Sequence, residues 1–317
     1  MNFFVIVLSS QLLYYLLIAQ TGVVGAFHSN IHDLYTLPIG GIIGALLSAL
    51  LSHRFLKYEL CALFVVQMII SWMYPDYSLW MLLILGFVVG YTTPLLLYLF
   101  RAQSKLYLSI GLAISYVLGT ALYTYPFDER GNIAIVLPLI SMIALCFARF
   151  ESTQEIKKVP FDWKTLGVMM LWIFADSALF ETLSRSGNMD IWSTYPLLII
   201  NSHLAGVYLA YRYGTELMKQ TPIILVLFIF SYAVYGLQIP WVLTVIYPIV
   251  ISYYNVLLFQ ALIRLADIRL IGFSMIGVGW IATSVANAVA LGHQIWIAAL
   301  VLGFFTLVYL FYLRRVS

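Results

Sequence analysis

Charge is what this sequence has least of. Of its 317 residues only 9% are Asp, Glu, Lys or Arg, against 63% hydrophobic, and the mean hydropathy is +0.98. Soluble domains carry roughly a quarter of their residues as charges, so that class is excluded. Nor is there enough polar chain to build a domain outside a membrane: the longest connection between apolar stretches runs from Phe150 to Thr165. Cysteine is nearly absent, with Cys61 and Cys146 alone and no CxxC spacing for a metal. The sequence has no GxSxG, HExxH, P-loop or dinucleotide fingerprint, so it offers no nucleotide site, no familiar hydrolytic centre and no expected cofactor. A basic n-region is missing ahead of the first apolar stretch, which is therefore expected to be retained rather than cleaved.

What the sequence has instead is long apolar runs. They lie near Phe3–Ala26, Leu37–Ser52, Leu60–Tyr74, Leu79–Phe100, Leu106–Tyr125 and Ile133–Phe147, then Leu166–Ser184, Tyr195–Ala210, Pro222–Leu237, Pro240–Ile263, Leu270–Leu291 and Ile295–Leu313. A spanning helix needs about 17 to 25 residues, so the second and third runs are short. The stretch Pro222–Ile263 is too long for one helix and is broken only at Gln238 and Pro240, which predicts a tight hairpin. With twelve spans, Arg54, Lys57, Arg101, Lys105, Arg149, Lys157, Lys158, Lys164, Arg212, Lys219, Arg264, Arg269, Arg314 and Arg315 share one side, and only Arg130 and Arg185 fall on the other. Basic residues in short loops stay cytoplasmic, so both termini are expected inside. The net charge of +3 is spread over these loops as a topology signal and does not point to nucleic acid. Both cysteines then lie near inner helix ends, in a reducing compartment that disfavours a disulfide.

The Phe150–Thr165 connection divides the chain into nearly equal halves, predicting bundles of six helices at 1–149 and 166–317 joined by a 150–165 linker. A shift of about 163 residues carries Arg101 onto Arg264 and Lys105 close to Arg269; six-span repeats give halves of parallel orientation. The stretch Ala49-Leu50-Leu51-Ser52-His53-Arg54-Phe55-Leu56-Lys57-Tyr58 resembles the G-x-x-x-D-[RK]-x-G-[RK]-[RK] motif of the major facilitator superfamily at Arg54 and Lys57. Ala49, His53, Leu56 and Tyr58 depart from it, and Ala210-Tyr211-Arg212-Tyr213-Gly214 is a fainter echo in the second half. The resemblance implies two six-helix bundles, a gating role for Arg54 and Lys57, and a cavity lined by the first, fourth, seventh and tenth spans. On that basis Gln11, Thr92, Asp176 and Tyr254 would share one chamber.

Polar residues in mid-span are the candidate site. Asp176 lies about 15 Å into the seventh span, where an unpaired charge costs at least about 2.5 kcal/mol, so it must face a polar interior. His203 on the eighth span has a matching depth, and an Asp176–His203 contact would make a proton-responsive pair. Glu181 and Arg185 stand at i, i+4, the spacing of an ion pair that is either a static rim contact or an outer gate. Trp280, Thr283 and Asn287 form one stripe and Thr244, Tyr247 and Tyr254 another, with Asn255 beside it; Thr93 and Tyr116 lie at similar depth. Small-residue stripes at Gly40, Gly44, Ser48 and Ser52, at Gly41, Ala45 and Ala49, and at Gly111, Ser115 and Gly119 predict close helix contacts, expected where the second and fifth spans cross between halves. His28, His32 and Asp33 form an outer cluster that reads as a solvated loop more readily than a metal site.

These residues point to an integral, multi-pass carrier, expected in a bacterial cytoplasmic (inner) membrane. It would move a small neutral, amphipathic or cationic solute by alternating access, with protons or another coupling ion. An intramembrane enzyme acting on lipid-linked or acyl substrates, and a non-transporting scaffold or sensor, are the alternatives.

Overall fold

The computed structural model describes residues 2–23, 34–148, 161–185, 189–265 and 267–316. His28, His32, Asp33, Arg149, Lys157 and Lys158 lie outside them. The chain is all-helical: α1 (Phe3–Val23), α2 (Thr36–Leu50), α3 (Leu56–Ser71), α4 (Leu79–Phe100), α5 (Lys105–Ala121), α6 (Phe127–Phe147), α7 (Trp163–Arg185), α8 (Pro196–Tyr213), α9 (Leu217–Gly236), α10 (Pro240–Ile263), α11 (Ile268–Leu291) and α12 (Ile295–Val316), with one extra turn at Ile191–Thr194. Seven of them, α1, α4, α6, α7, α9, α10 and α11, are long and apolar enough to cross a bilayer. The short second and third runs form helices of 15 and 16 residues, about 24 Å long at 1.5 Å per residue.

The few polar residues mark where helices begin. Asn2 caps α1, Ser78 caps α4 and Asp267 caps α11, each accepting a backbone N–H of the first turn. Asp162 accepts from the Thr165 hydroxyl at 2.8 Å and from the Lys164 and Thr165 amides at 3.1 Å. The Thr165 bond and those amides hold its carboxyl below the usual range. The break within Pro222–Ile263 is a hairpin, with α9 ending at Gly236, α10 starting at Pro240 and Gln238 in the left-handed region at φ 56°.

Two compact units form: Met1–Phe161 with Phe259–Ile276, and Asp162–Leu258 with Gly277–Ser317. In the first, α1 packs on α5 and α6, α3 on α6, and α2 along α4. The α2–α4 contact is made by glycine on both sides. Gly40 and Gly44 lie on the α4 backbone at Leu83 and Phe87, while Gly86 and Gly90 lie on Leu37 and Gly41, and a Cβ on any of the four would overlap a carbonyl oxygen. This corrects the expectation for the Gly40–Gly44 and Gly111–Gly119 stripes, though not for the Gly41–Ala45–Ala49 stripe. The α2 glycines serve α4, and on α5 Gly111 faces Leu8 while Gly119 faces Leu13 and Leu16 of α1. The Ala45–Ala49 side of α2 receives Gly272 of α11, which explains why Phe259–Ile276 belongs to this unit. In the second unit α7 packs against α9, α12 and the Thr283–Leu291 part of α11.

Candidate functional site

α10 sets the geometry around Asp176. Tyr247 and Tyr254 are seven residues apart, two helical turns, so both rings leave the same face of α10. The Tyr247 hydroxyl donates to Asp176 Oδ1 at 2.7 Å and to the Asp176 carbonyl at 2.8 Å, and the Tyr254 hydroxyl donates to Oδ2. From α9, Tyr232 donates to the Ala175 carbonyl at 2.7 Å. Trp172 and Phe228 pack on Tyr254 with centroids at 6.1 and 5.6 Å, and Trp192 packs on Tyr247 at 6.0 Å. These neighbours hold the rings in place. Tyr247 and Tyr254 are fully buried and Asp176 is partly buried, with both carboxylate oxygens bonded. Each hydroxyl bond to the charged form contributes about 1.5 to 3 kcal/mol. A tyrosine hydroxyl both donates and accepts, so the group stays bonded when the carboxyl takes a proton and one hydroxyl turns round.

His203 does not pair with Asp176. It is 3% exposed, and its Nδ1 lies 2.6 Å from Ser252 Oγ of α10. Ser252 is five residues beyond Tyr247, about 140° around the helix, so α10 serves α8 with one face and α7 with another. Among the other predicted residues, Gln11 donates to Ser141 Oγ of α6 at 2.9 Å, Tyr116 is buried on α5, and Thr92 is buried on α4 with its hydroxyl unbonded. Thr93 and Thr244 bond their own helices at Val89 and Pro240. Asn255 and Thr283 are half-buried, Trp280 is buried, and the side-chain oxygen of Asn287 is buried without a partner. Of the four residues assigned to one chamber, Asp176 and Tyr254 are brought together directly.

Glu181 and Arg185 form the predicted pair at 2.5 Å, with Glu181 3% exposed. Arg130, the other cation expected on the outer side, is only 5% exposed and donates to the carbonyls of Tyr123, Tyr125 and Leu17 and to the Thr21 hydroxyl at 2.6 to 3.2 Å. The last part of α1, Tyr15–Val23, is a π-helix, and Arg130 binds it from the side. Both exceptions to the charge bias are thus locally compensated. At the other rim Arg54 is exposed over the Phe55 ring, and Lys57 donates to the Cys146 carbonyl at 2.8 Å. His53, where the motif has an acid, lies 2.6 Å from Glu59 and 2.7 Å from the Ser48 carbonyl.

One cluster was not singled out in the sequence. The Tyr14 hydroxyl on α1 bonds Ser71 Oγ on α3 at 2.9 Å, deep in the first unit. Gln67 stands beside that hydroxyl, 1% exposed with neither amide atom bonded, and the buried Tyr74 and Tyr77 hydroxyls lack partners as well. Its signal was the Gln67/Ser71 spacing of i, i+4 in the otherwise apolar second half of α3.

Solved structures match this architecture over nearly its whole length. The human organic anion transporter MFSD10 (TETRAN) matches with TM-score 0.69 and 13% identity over 98% of this chain and 97% of that one. The proton:xylose symporter XylE of the major facilitator superfamily matches at 0.63 and 14%, over 99% and 95%. The nucleoside transporter NupG matches at 0.59 and 13%, over 99% of both. This chain has the major facilitator fold. No family sequence profile and no curated protein sequence matches it. The internal repeat of the fold is visible in the glycine contacts: Gly44 on α2 meets the α4 backbone at Phe87, and Gly206 on α8 meets the α10 backbone at Ile249, both partners displaced by 162 residues.

Proposed function

We propose that this protein is a secondary active transporter that moves a small solute by alternating access, with Asp176 as its central ionisable residue and protons as the coupling ion. The reading places twelve crossings in two six-helix bundles with both termini cytoplasmic, in a bacterial inner membrane. The observation that carries it is the mid-span carboxylate: half-buried, held by two tyrosine hydroxyls, and able to exchange a proton without losing its partners. Solved relatives in fold carry organic anions, nucleosides and xylose with protons, which supports a carrier and leaves a broad solute range. Among the described residues the only side-chain charge at this centre is acidic, which favours a neutral, amphipathic or cationic solute. Coupling requires that proton and solute bind the two access states differently. Glu181–Arg185 is the proposed outer gate, with Arg54 and Lys57 at the inner rim.

The test is uptake into proteoliposomes under an imposed pH gradient, screened over sugars, nucleosides and organic cations that raise the thermal stability of the purified protein. Asp176→Asn should insert, fold and bind, yet fail to accumulate solute against its gradient. Wild-type accumulation by Asp176→Asn would remove the residue from the mechanism.

A further inference from the structure

The turn from α2 to α3 closes over a histidine. The His53 side chain is 7% exposed and uses both ring nitrogens. Nε2 lies 2.7 Å from the Ser48 carbonyl in the last turn of α2, and Nδ1 lies 2.6 Å from Glu59 Oε2 in the first turn of α3. Both partners are oxygens: a carbonyl only accepts, and an ionised carboxylate only accepts. The two contacts therefore need two protons between them. A neutral imidazole beside an ionised Glu59 has one, and whichever nitrogen carries it, the lone pair of the other would face an oxygen at 2.6 or 2.7 Å. The extra proton belongs on the ring, since imidazole is the stronger base by about two pH units and a cation is favoured at a helix C-terminus. Tyr91 of α4 packs edge-on against the ring, with centroids at 6.0 Å. Lys57 donates to the Cys146 carbonyl, Arg54 is exposed over Phe55, and around the start of α11, which packs on α2, Arg264, Asp267 and Arg269 are exposed. Among the described residues the ionic partner of His53 is Glu59.

We propose that His53 and Glu59 form a proton-binding site, separate from Asp176, in which a doubly protonated His53 clamps the end of α2 to the start of α3. Where the superfamily motif has an acid, this chain has a charge that a change of pH removes. As pH rises the proton leaves and one of the two contacts must break, so the α2–α3 turn is held at lower pH and loosens at higher pH. The site needs no solute and stands whether or not Asp176 couples transport.

The experiment is solid-state NMR of the full-length protein in lipid bilayers with isotope-labelled histidine rings, whose nitrogen shifts separate protonated from non-protonated nitrogens. His53→Gln removes one of the five rings and identifies His53 by difference. At neutral pH both nitrogens of His53 should be protonated, and one should lose its proton as the pH is raised. In Glu59→Gln the new amide can donate to Nδ1 and satisfy a neutral ring, so a non-protonated His53 nitrogen should appear at the same pH, with the other rings unchanged as the control for folding. If those rings move, the wild-type titration alone decides. A non-protonated His53 nitrogen in the wild type at neutral pH overturns the proposal, as does a ring that stays doubly protonated in folded Glu59→Gln.

Discussion

The two units solve the same packing problem with different chemistry at matching positions. The 162-residue displacement that relates the Gly44 and Gly206 contacts also relates Tyr14 to Asp176 and Thr92 to Tyr254. Where the second unit buries two tyrosine hydroxyls against a carboxylate, the first has a tyrosine bonded to Ser71 and a threonine hydroxyl bonded to nothing. The repeat therefore preserves backbone approach and lets the polar centre diverge. The mid-span titratable centre described here lies in the second unit. Its counterpart in the first is neutral and under-bonded, with Gln67, Tyr74 and Tyr77 adding unpaired polar atoms.

The largest effects are expected at the glycines. Gly44→Leu and Gly206→Leu each drive a side chain into a neighbouring helix backbone, at more than about 3 kcal/mol, and both should abolish monodisperse folded protein in size-exclusion chromatography. If Gly206→Leu is tolerated and Gly44→Leu is not, the second unit does not depend on the shared crossing. Next comes function. Asp176→Asn should reduce pH-gradient-driven accumulation to background, whereas Tyr14→Phe should retain it and lose only about 1 kcal/mol for the orphaned Ser71 hydroxyl. Equal loss of transport in both would show that the centres act as one.

Arg185 and Arg130 extend the contrast. Arg185→Gln leaves Glu181 buried without its partner, at about 3 kcal/mol, and Glu181→Gln with Arg185→Gln should recover at least half of that in thermal unfolding. Strictly additive losses would mean the pair is not coupled. Arg130 has no such rescue partner, because its bonds go to backbone carbonyls and Thr21. The smallest effect is expected at Thr92→Val, which replaces an unbonded buried hydroxyl by a methyl of the same shape and should be neutral or stabilise by up to about 1 kcal/mol. A clear drop in apparent stability would reveal a partner for Thr92 that the folded chain alone does not supply.

Much of the fold was legible because membrane helices obey one-dimensional rules. Apolar run lengths located the helices, the short second and third ones included, and the Gln238–Pro240 break located the α9–α10 turn. The Glu181–Arg185 pair was legible for the same reason, since i, i+4 neighbours on one helix meet regardless of tertiary context. Asp176 stood out by the desolvation penalty of a charge at that depth. Its partners were only half legible: Tyr247 and Tyr254 were on a marked stripe, but Tyr232 and Trp172 were not. The expected Asp176–His203 contact failed because shared depth says nothing about azimuth, and Ser252 occupied the face of α10 that His203 reaches.

Hydropathy along the chain was enough to establish a helical, multi-pass membrane protein with an acid in mid-span. Tertiary structure alone decided which polar groups meet: Asp176 with two tyrosines, Tyr14 with Ser71, and Arg130 with the π-helical end of α1. The reason is physical. Burial in lipid depends on the summed character of a segment, which sequence carries locally, whereas hydrogen-bond partnership depends on the rotation and approach of helices that are distant in sequence, and those are set by glycine contacts and packing.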